Sequence, residues 1–314
     1  MPEWLIERGI GETRMALVDG DEIVEARILL DGVVPAGTAL RAALKRTGKP
    51  AIANVGGNEF LLPDGAPGLT EGQVMTIEVT REQIAGVEPW KRPLAKVTEG
   101  QWRSAELPVG DALSLPAAVD RLERTGWSDI LEEARSGIIR FDGGELRVSA
   151  TPAMTLIDVD GISAPATLAP AAARESARAI LRHGIGGSIG IDLPTISGKA
   201  ERKAVADAID ASLPKPFERT AMNGFGFVQI VRPRRHASMF ELAQDRAAFE
   251  ARALLRRAVF ESAGAKRLVA HPAVIHAIQK QPDWLDILSR QLGGSVSLRA
   301  EPNLPMSGGY AESL

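Results

Sequence analysis

The chain has 314 residues and a formal net charge of -3, long enough for two or three domains and for a proper buried core, and too near neutrality to argue for or against nucleic acid. It holds no cysteine and only four histidines, which excludes disulfides and thiolate zinc sites, and the histidines lack metal-ligand spacing. With one Tyr, eight Phe and five Trp the core must be aliphatic, while no apolar run is long enough to span a bilayer and the charged start MPEWLIERGIGETR does not read as a secretory signal, so a cytoplasmic protein is expected.

Residues 1–98 read as short strands and turns. In TRMALVDGDEIVEARILL two β-prone runs flank Asp19-Gly20-Asp21, a hairpin signal. GTALRAALKR, KPAIANV, EFLLP and QVMTIEVT follow at even spacing, which suggests a small β-barrel. By composition ALRAALKR fits a helix as well as a strand. Within 99–136, DALSLPAAVDRLERTGWSDILEEARSG predicts one or two short amphipathic helices, with Gly126 and Gly137 as stops. Strands resume at IIRF and GELRVSA, joined by Asp142-Gly143-Gly144, and continue into TPAMTLIDVDGIS. From Leu168 the pattern alternates. A helix through APAAARESARAILRHG ends at Gly184, GGSIGIDL is a strand, and SGKAERKAVADAIDASL is a helix opened by Ser197. FGFVQIVR is a strand, and MFELAQDRAAFEARALLRRAVFESAG forms one long helix. RESARAILRH and EARALLRRAVF carry charges at helical spacing and read as solvent-facing sides. From about Lys266 a strand, a helix pair and a strand make a small unit. The expected class is α+β or mixed α/β, with domains at 1–98, 99–136, 137–264 and 265–314.

The chemistry centres on TPAMTLIDVDGIS. A strand has period two, so Asp158 and Asp160 share a face. Like charges placed together need a cation, a basic partner or solvent. A second strand, GGSIGIDLP, also runs out of an apolar stretch into an acid, Asp192. If the two strands are neighbours, the three carboxylates converge. Hard oxygen donors without Cys or His suit Mg²⁺ or Mn²⁺. Alternatively, Asp at a strand end is a turn former or helix cap.

In order and spacing, Gly143-Gly144, ATPAMTLIDVDG, ARESARAILRHGIGG, GGSIGIDLP and NGFGFVQIVRPR resemble the ribonuclease E/G family of endoribonucleases, over about residues 137 to 240. The resemblance implies an RNase H-like and DNase I-like catalytic core, an N-terminal oligonucleotide-binding β-barrel inserted in the RNase H-like part, and a small C-terminal α+β domain. It implies that Asp158 and Asp192 hold magnesium and that Asp160, where the family has Asn, stands beside the ion as a third catalytic acid. The products would carry a 5′-phosphate and a 3′-hydroxyl. Where the family has a further acid after the second aspartate, this chain has Thr195. KPAIANVGGNEFLLP is similar to the segment that shapes a base pocket, with Phe60 as its aromatic and Ile52 where an aromatic is usual. Base stacking is a main contribution to single-strand binding. Both residues could equally be barrel core. The C-terminal stretch from LVAHPAVIHAI to PNLPMSGGYAE is similar to the family's small domain and implies self-association into a homo-oligomer. No zinc is expected, because the linking Cys-Pro-(x)-Cys motif is missing. Residues 99–136 are too short for a 5′-monophosphate pocket, and Arg124-Thr125-Gly126 only echoes its motif.

An RNA path needs cations. Arg41, Lys45 and Arg46 form one group, and Trp90-Lys91-Arg92 with Lys96 form another. VRPRRH supplies Arg232, Arg234 and Arg235 beside the acidic strands. Phosphate contacts from Arg41, Lys45, Arg92, Lys96, Arg232 and Arg234 are expected, against the alternative of a solvated charged surface. The expected function is a metal-dependent endoribonuclease acting on single-stranded RNA. The alternatives are a non-catalytic RNA-binding protein of the same fold, and an assembly module that binds protein and not RNA.

Overall fold

In the computed structural model, which describes residues 1–84 and 91–314, the chain divides into two compact units. One is assembled from Met1–Asp31, Pro108–Asp129 and Leu242–Leu314, the other from Gly32–Leu107 and Ile130–Glu241. They cut across the four consecutive blocks expected from sequence.

The first unit opens with a meander of β1 (Glu3–Arg8), β2 (Glu12–Asp19) and β3 (Glu22–Leu30). Asp19 pairs with Glu22, so Gly20 and Asp21 form the two-residue hairpin turn, with Gly20 at φ +63°. That turn needs positive φ, which glycine adopts without a Cβ penalty. The short strand β9 (Asp111–Leu113) adds in parallel to β1, giving the order β3-β2-β1-β9. It lies in a stretch expected to be helical. Helix α1 (Arg121–Arg124) is capped by Asp120, which accepts from the Glu123 amide at 2.9 Å. The expected long helix beginning at Met239 is two helices, α5 (Met239–Leu242) and α6 (Arg246–Val259). The break falls where Asp245 caps α6 by accepting from Ala248 N at 3.2 Å. A second sheet has the order β17-β16-β18, with β16 (Lys266–Ala270) between β17 (Val296–Ala300) and β18 (Tyr310–Ser313). Helices α7 (Pro272–Gln279) and α8 (Trp284–Leu292) connect β16 to β17, and their apolar sides join Leu254, Leu255 and Leu268 in one core.

Charged residues expected on a solvent-facing side of α6 are instead buried. Arg256 Nε lies 2.9 Å from Glu7, and its Nη2 lies 2.6 Å from Asp120. Arg252 meets Glu12 at 2.9 Å, and Arg14 lies 2.6 Å from both Glu7 and Glu12. Glu7, Glu12, Arg14, Arg252 and Arg256 are all buried. Each charge loses its water, so each needs an opposite partner.

The second unit holds a closed five-stranded barrel. Its strands are β4 (Ala39–Arg46), β5 (Ala51–Val55), β6 (Asn58–Leu62), β7 (Val74–Arg81) and β8 (Leu94–Val97), in the order β4-β5-β6-β8-β7. ALRAALKR is thus a strand, although its Ala, Leu and Lys content favours helix. Pairing on both sides, with β5 and β7, settles it, and Leu40, Ala42 and Leu44 enter the barrel core.

The remainder is a six-stranded sheet. Strands β10 (Ile138–Phe141), β11 (Gly144–Ala150), β12 (Thr155–Gly161), β13 (Gly187–Asp192), β14 (Glu218–Arg219) and β15 (Phe227–Arg232) run in the order β10-β11-β12-β13-β15-β14. Helix α2 (Trp127–Ser136) precedes the sheet, and the division between the units falls inside it. Only β12 and β13 pair in parallel, and α3 (Pro165–Arg182) connects them. Alanines along α3 and residues Val205 and Ile209 of α4 (Lys199–Ser212) pack with Ile157, Ile189, Ile191, Val228 and Ile230 of the sheet. Gly198 stands at the cap of α4 with no side-chain bond, so Ser197 does not open the helix as expected. Among the described residues no helix is long and apolar enough to cross a membrane.

Candidate functional site

Along β12, Ile157 and Val159 are buried while Asp158 and Asp160 are exposed. The strand alternates as its sequence predicts, apolar side chains toward α3 and carboxylates toward the other face. On β13, Ile189 and Ile191 are buried and Asp192 is exposed. The register then brings the acids together: Asp158 and Asp192 are direct partners across the parallel pair. Adjacent strands lie about 4.8 Å apart, so the two carboxylates stand side by side on one face. The ladder continues the row on both sides, with Arg147 of β11 opposite Asp158 and Phe227 of β15 opposite Asp192. One step along, Glu145 faces Asp160.

Arg147 sorts the charges. Its Nη2 donates to Glu145 at 2.8 Å and its Nε lies 3.1 Å from Asp160. The cation beside Asp160 is therefore an arginine, whereas the sequence led to the expectation that this residue stands with the other two acids at a metal. Among the described residues no group of three His, Asp or Glu is placed to hold a metal ion. Asp158 and Asp192 have no side-chain hydrogen bond or ion pair among the described residues. They remain two hard oxygen donors, unneutralised and open to solvent.

An apolar edge borders the pair. Gly190 lies one place before Ile191 on β13, and a Cβ there would meet the Phe227 ring at 2.5 Å and Leu156 at 3.1 Å. The glycine lets Phe227 and Leu156 lie flat over the strand. Beyond Glu145 and Asp160, a cavity of about 520 Å³ reaches Gly143 and Ile162.

The expected RNA-binding residues divide. Phe60 is 1 % exposed and sits in the barrel core with Leu44 and Leu62, so it offers no face to a base. Ile52 is buried as well. Alternation turns Phe60 inward beside its partner Ala53, whereas Ile52, between the core residues Ala51 and Ala53, is buried on the other face of its strand. Lys45 and Arg92 both pair with Glu59, at 2.5 and 2.9 Å. The Lys45 hydrogen bond, with help from Arg92, holds the Glu59 carboxyl below its usual range. Lys96 and Arg103 share Glu78, at 3.7 and 3.4 Å. Arg41 and Arg46 are exposed on β4. Arg234 is not free for phosphate: it pairs with Glu241, and burial together with Arg81 lowers its pKa. Glu241 also accepts from the Ser238 amide at 2.9 Å, so the pair fixes the start of α5. Arg232 donates to the Ile185 carbonyl at 3.4 Å. Trp90 lies outside the described residues.

Sequence reasoning missed three features. Arg147 was legible in GELRVSA, where alternation puts Glu145 and Arg147 on one face. Phe225 and Phe227 flank the glycine of GFGF and were read only as strand. His183, expected on a solvent-facing helix side, is fully buried, 2.7 Å from Glu133 through Nε2 and 4.6 Å from the Phe240 ring centroid. Burial lowers its pKa, against the raising effect of Glu133. No local pattern in a helix end distinguishes such a residue from a solvated one.

The chain matches no protein-family model and no curated protein.

Proposed function

We propose that the chain is a metal-dependent endoribonuclease of the ribonuclease E/G type that cleaves single-stranded RNA. The observation that supports it is the in-register pair Asp158–Asp192, exposed, adjacent and without a compensating cation among the described residues. Two carboxylates with open space around them fit Mg²⁺, which takes one or two carboxylates and fills its other positions with water and phosphate. Mn²⁺ takes the same donors. When bound there, such an ion supplies charge to a phosphoryl oxygen and acidifies a water. Asp158 and Asp192 hold it. Arg147 offsets one of the two charges of Glu145 and Asp160, which lowers the repulsion an approaching phosphate meets beside the pair. Arg41 and Arg46 on the barrel supply exposed cations for the backbone of the strand. In-line attack at phosphorus that leaves a 5′-phosphate follows from the family resemblance.

The finer fold assignment belongs to the same reading. The barrel segment interrupts the first unit in sequence, in keeping with an oligonucleotide-binding insertion in an RNase H-like part. Self-association through the β16–β18 region and a cytoplasmic location complete the proposal.

The test is cleavage of an end-labelled single-stranded RNA with Mg²⁺ and with chelator, beside Asp158→Asn and Asp192→Asn. Both variants should bind RNA and cut at least about 100-fold more slowly, since even indirect metal contacts are worth 10- to 100-fold. Variants that cut at the wild-type rate overturn the reading. The second reading, a non-catalytic RNA-binding protein, is favoured by the lack of a third converging acid among the described residues. It prevails if the wild type binds RNA and cuts nothing with either metal.

A further inference from the structure

Phe225 is 85 % exposed, yet it is held in place. Its amide donates to Asn223 Oδ1 at 2.9 Å, as does the Phe227 amide at 3.0 Å. Its carbonyl accepts from Thr195 Oγ1 at 3.3 Å. The next residue, Gly226, has φ +99°, and a Cβ there would lie 2.0 Å from the Leu193 carbonyl, so only glycine permits this close turn. Leu193 N donates to Gly226 O at 3.2 Å. That bond sits one residue from Asp192 on one strand and one residue from Phe225 on the other. The turn therefore fixes an outward aromatic ring at the end of the strand that carries Asp192, next to Phe227 in the acidic row. A lone exposed apolar side chain is ordinary. One whose amide and carbonyl are both engaged by side chains, beside two unpartnered carboxylates, is a built feature.

We infer that Phe225, backed by Phe227, is a stacking platform for the unpaired base next to the phosphate that a metal ion on Asp158 and Asp192 would bind. The inference rests on the ribonuclease reading and adds to it the part that positions the strand. The buried Phe60 cannot serve, so the stacking contact moves from the barrel to the sheet. Asn223 Oδ1 is engaged by its own turn, and Gln229 Nε2 by Ser188 at 3.2 Å. Stacking without edge readout makes the platform tolerant of base identity.

The experiment is binding of a short single-stranded RNA in chelator, with a fluorescent adenine analogue placed at each position in turn. Phe225→Ala should weaken binding about 10-fold and abolish the quenching at one position. Phe225→Trp should restore both. Ile162→Ala, at another fully exposed apolar residue, should change neither. Removing the base at the quenched position should weaken the wild type but not Phe225→Ala. Wild-type binding and quenching by Phe225→Ala overturn the platform, as does an equal loss in Ile162→Ala. If the wild type still cuts RNA with metal in that case, the ribonuclease reading stands without the platform. A wild type that binds no single-stranded RNA in chelator and cuts none with metal overturns both.

Discussion

The two units treat charge in opposite ways. In the first, Glu7, Glu12, Arg14, Arg252 and Arg256 are buried, and each has an opposite charge within 2.9 Å. In the second, Asp158 and Asp192 are exposed neighbours of the same sign with no partner among the described residues. Burial enforces pairing, because an unpaired ion in the interior costs several kcal/mol. Exposure removes that constraint, so an unpaired acid pair survives at a cost of about 0.2–1 kcal/mol for like charges across a ladder. A sheet under selection for stability alone gains by replacing one of them. The buried network explains itself through folding, while the exposed pair is what the proposed metal site would account for.

That contrast can be broken at its strongest point first. Arg256→Ala leaves Arg14 alone to balance Glu7, takes from Asp120 its guanidinium, and should lower stability by about 3–5 kcal/mol, read from the midpoint of denaturant unfolding. A loss under about 1 kcal/mol would mean that water reaches the network and that the burial argument fails. Next comes His183, a buried titratable group in the unit that carries the open face. Burial holds its pKa below the ordinary 6.5, so the unfolded chain takes up the proton more readily. Stability is then complete above about pH 6.5 and falls as the pH drops through that value, by up to about 1.4 kcal/mol per pH unit. His183→Gln should flatten this slope in unfolding midpoints taken between about pH 7 and about pH 5. An unchanged slope would assign the acid sensitivity to other groups. The smallest effects lie on the open face. Asp160→Asn removes an exposed bridge to Arg147 and should cost about 0–1 kcal/mol. Asp158→Asn relieves repulsion and should leave stability within about 0.5 kcal/mol of wild type, or raise it. A clearly destabilised Asp158→Asn would make that carboxylate structural and erase the contrast.

Much of the site was legible because strand alternation is local. The period of two put Asp158 and Asp160 on one face, and the apolar run before Asp192 marked its strand. The hairpin at Gly20 and the barrel strands were legible from glycine, proline and asparagine punctuation. Register across strands is not local. That Asp158 is in register with Asp192, while the Arg147 side chain reaches diagonally to Asp160, emerges only from the paired sheet. Tertiary context also reversed ALRAALKR, where barrel closure outweighed helix propensity. The break before α6 was announced by Asp245, a capping residue hidden inside an apparently continuous helical pattern. Phe60 could be read as a base platform or as core, and its inward direction decided for core. The joining of Met1–Asp31 to Leu242–Leu314 left no trace in any window of sequence, since its ion pairs link residues about 240 positions apart.

Those separations bear on how the polypeptide matures. Synthesis is vectorial, and domains generally fold as they emerge. Glu7 and Glu12 leave the ribosome about 240 residues before Arg252 and Arg256. Until then, Glu7 and Glu12 share one guanidinium, that of Arg14, and one positive charge cannot balance two buried carboxylates. The barrel and the sheet that carries Asp158 and Asp192 draw only on residues before Leu242. The barrel and that sheet are thus complete in the nascent chain while the other unit still waits for Arg252 and Arg256.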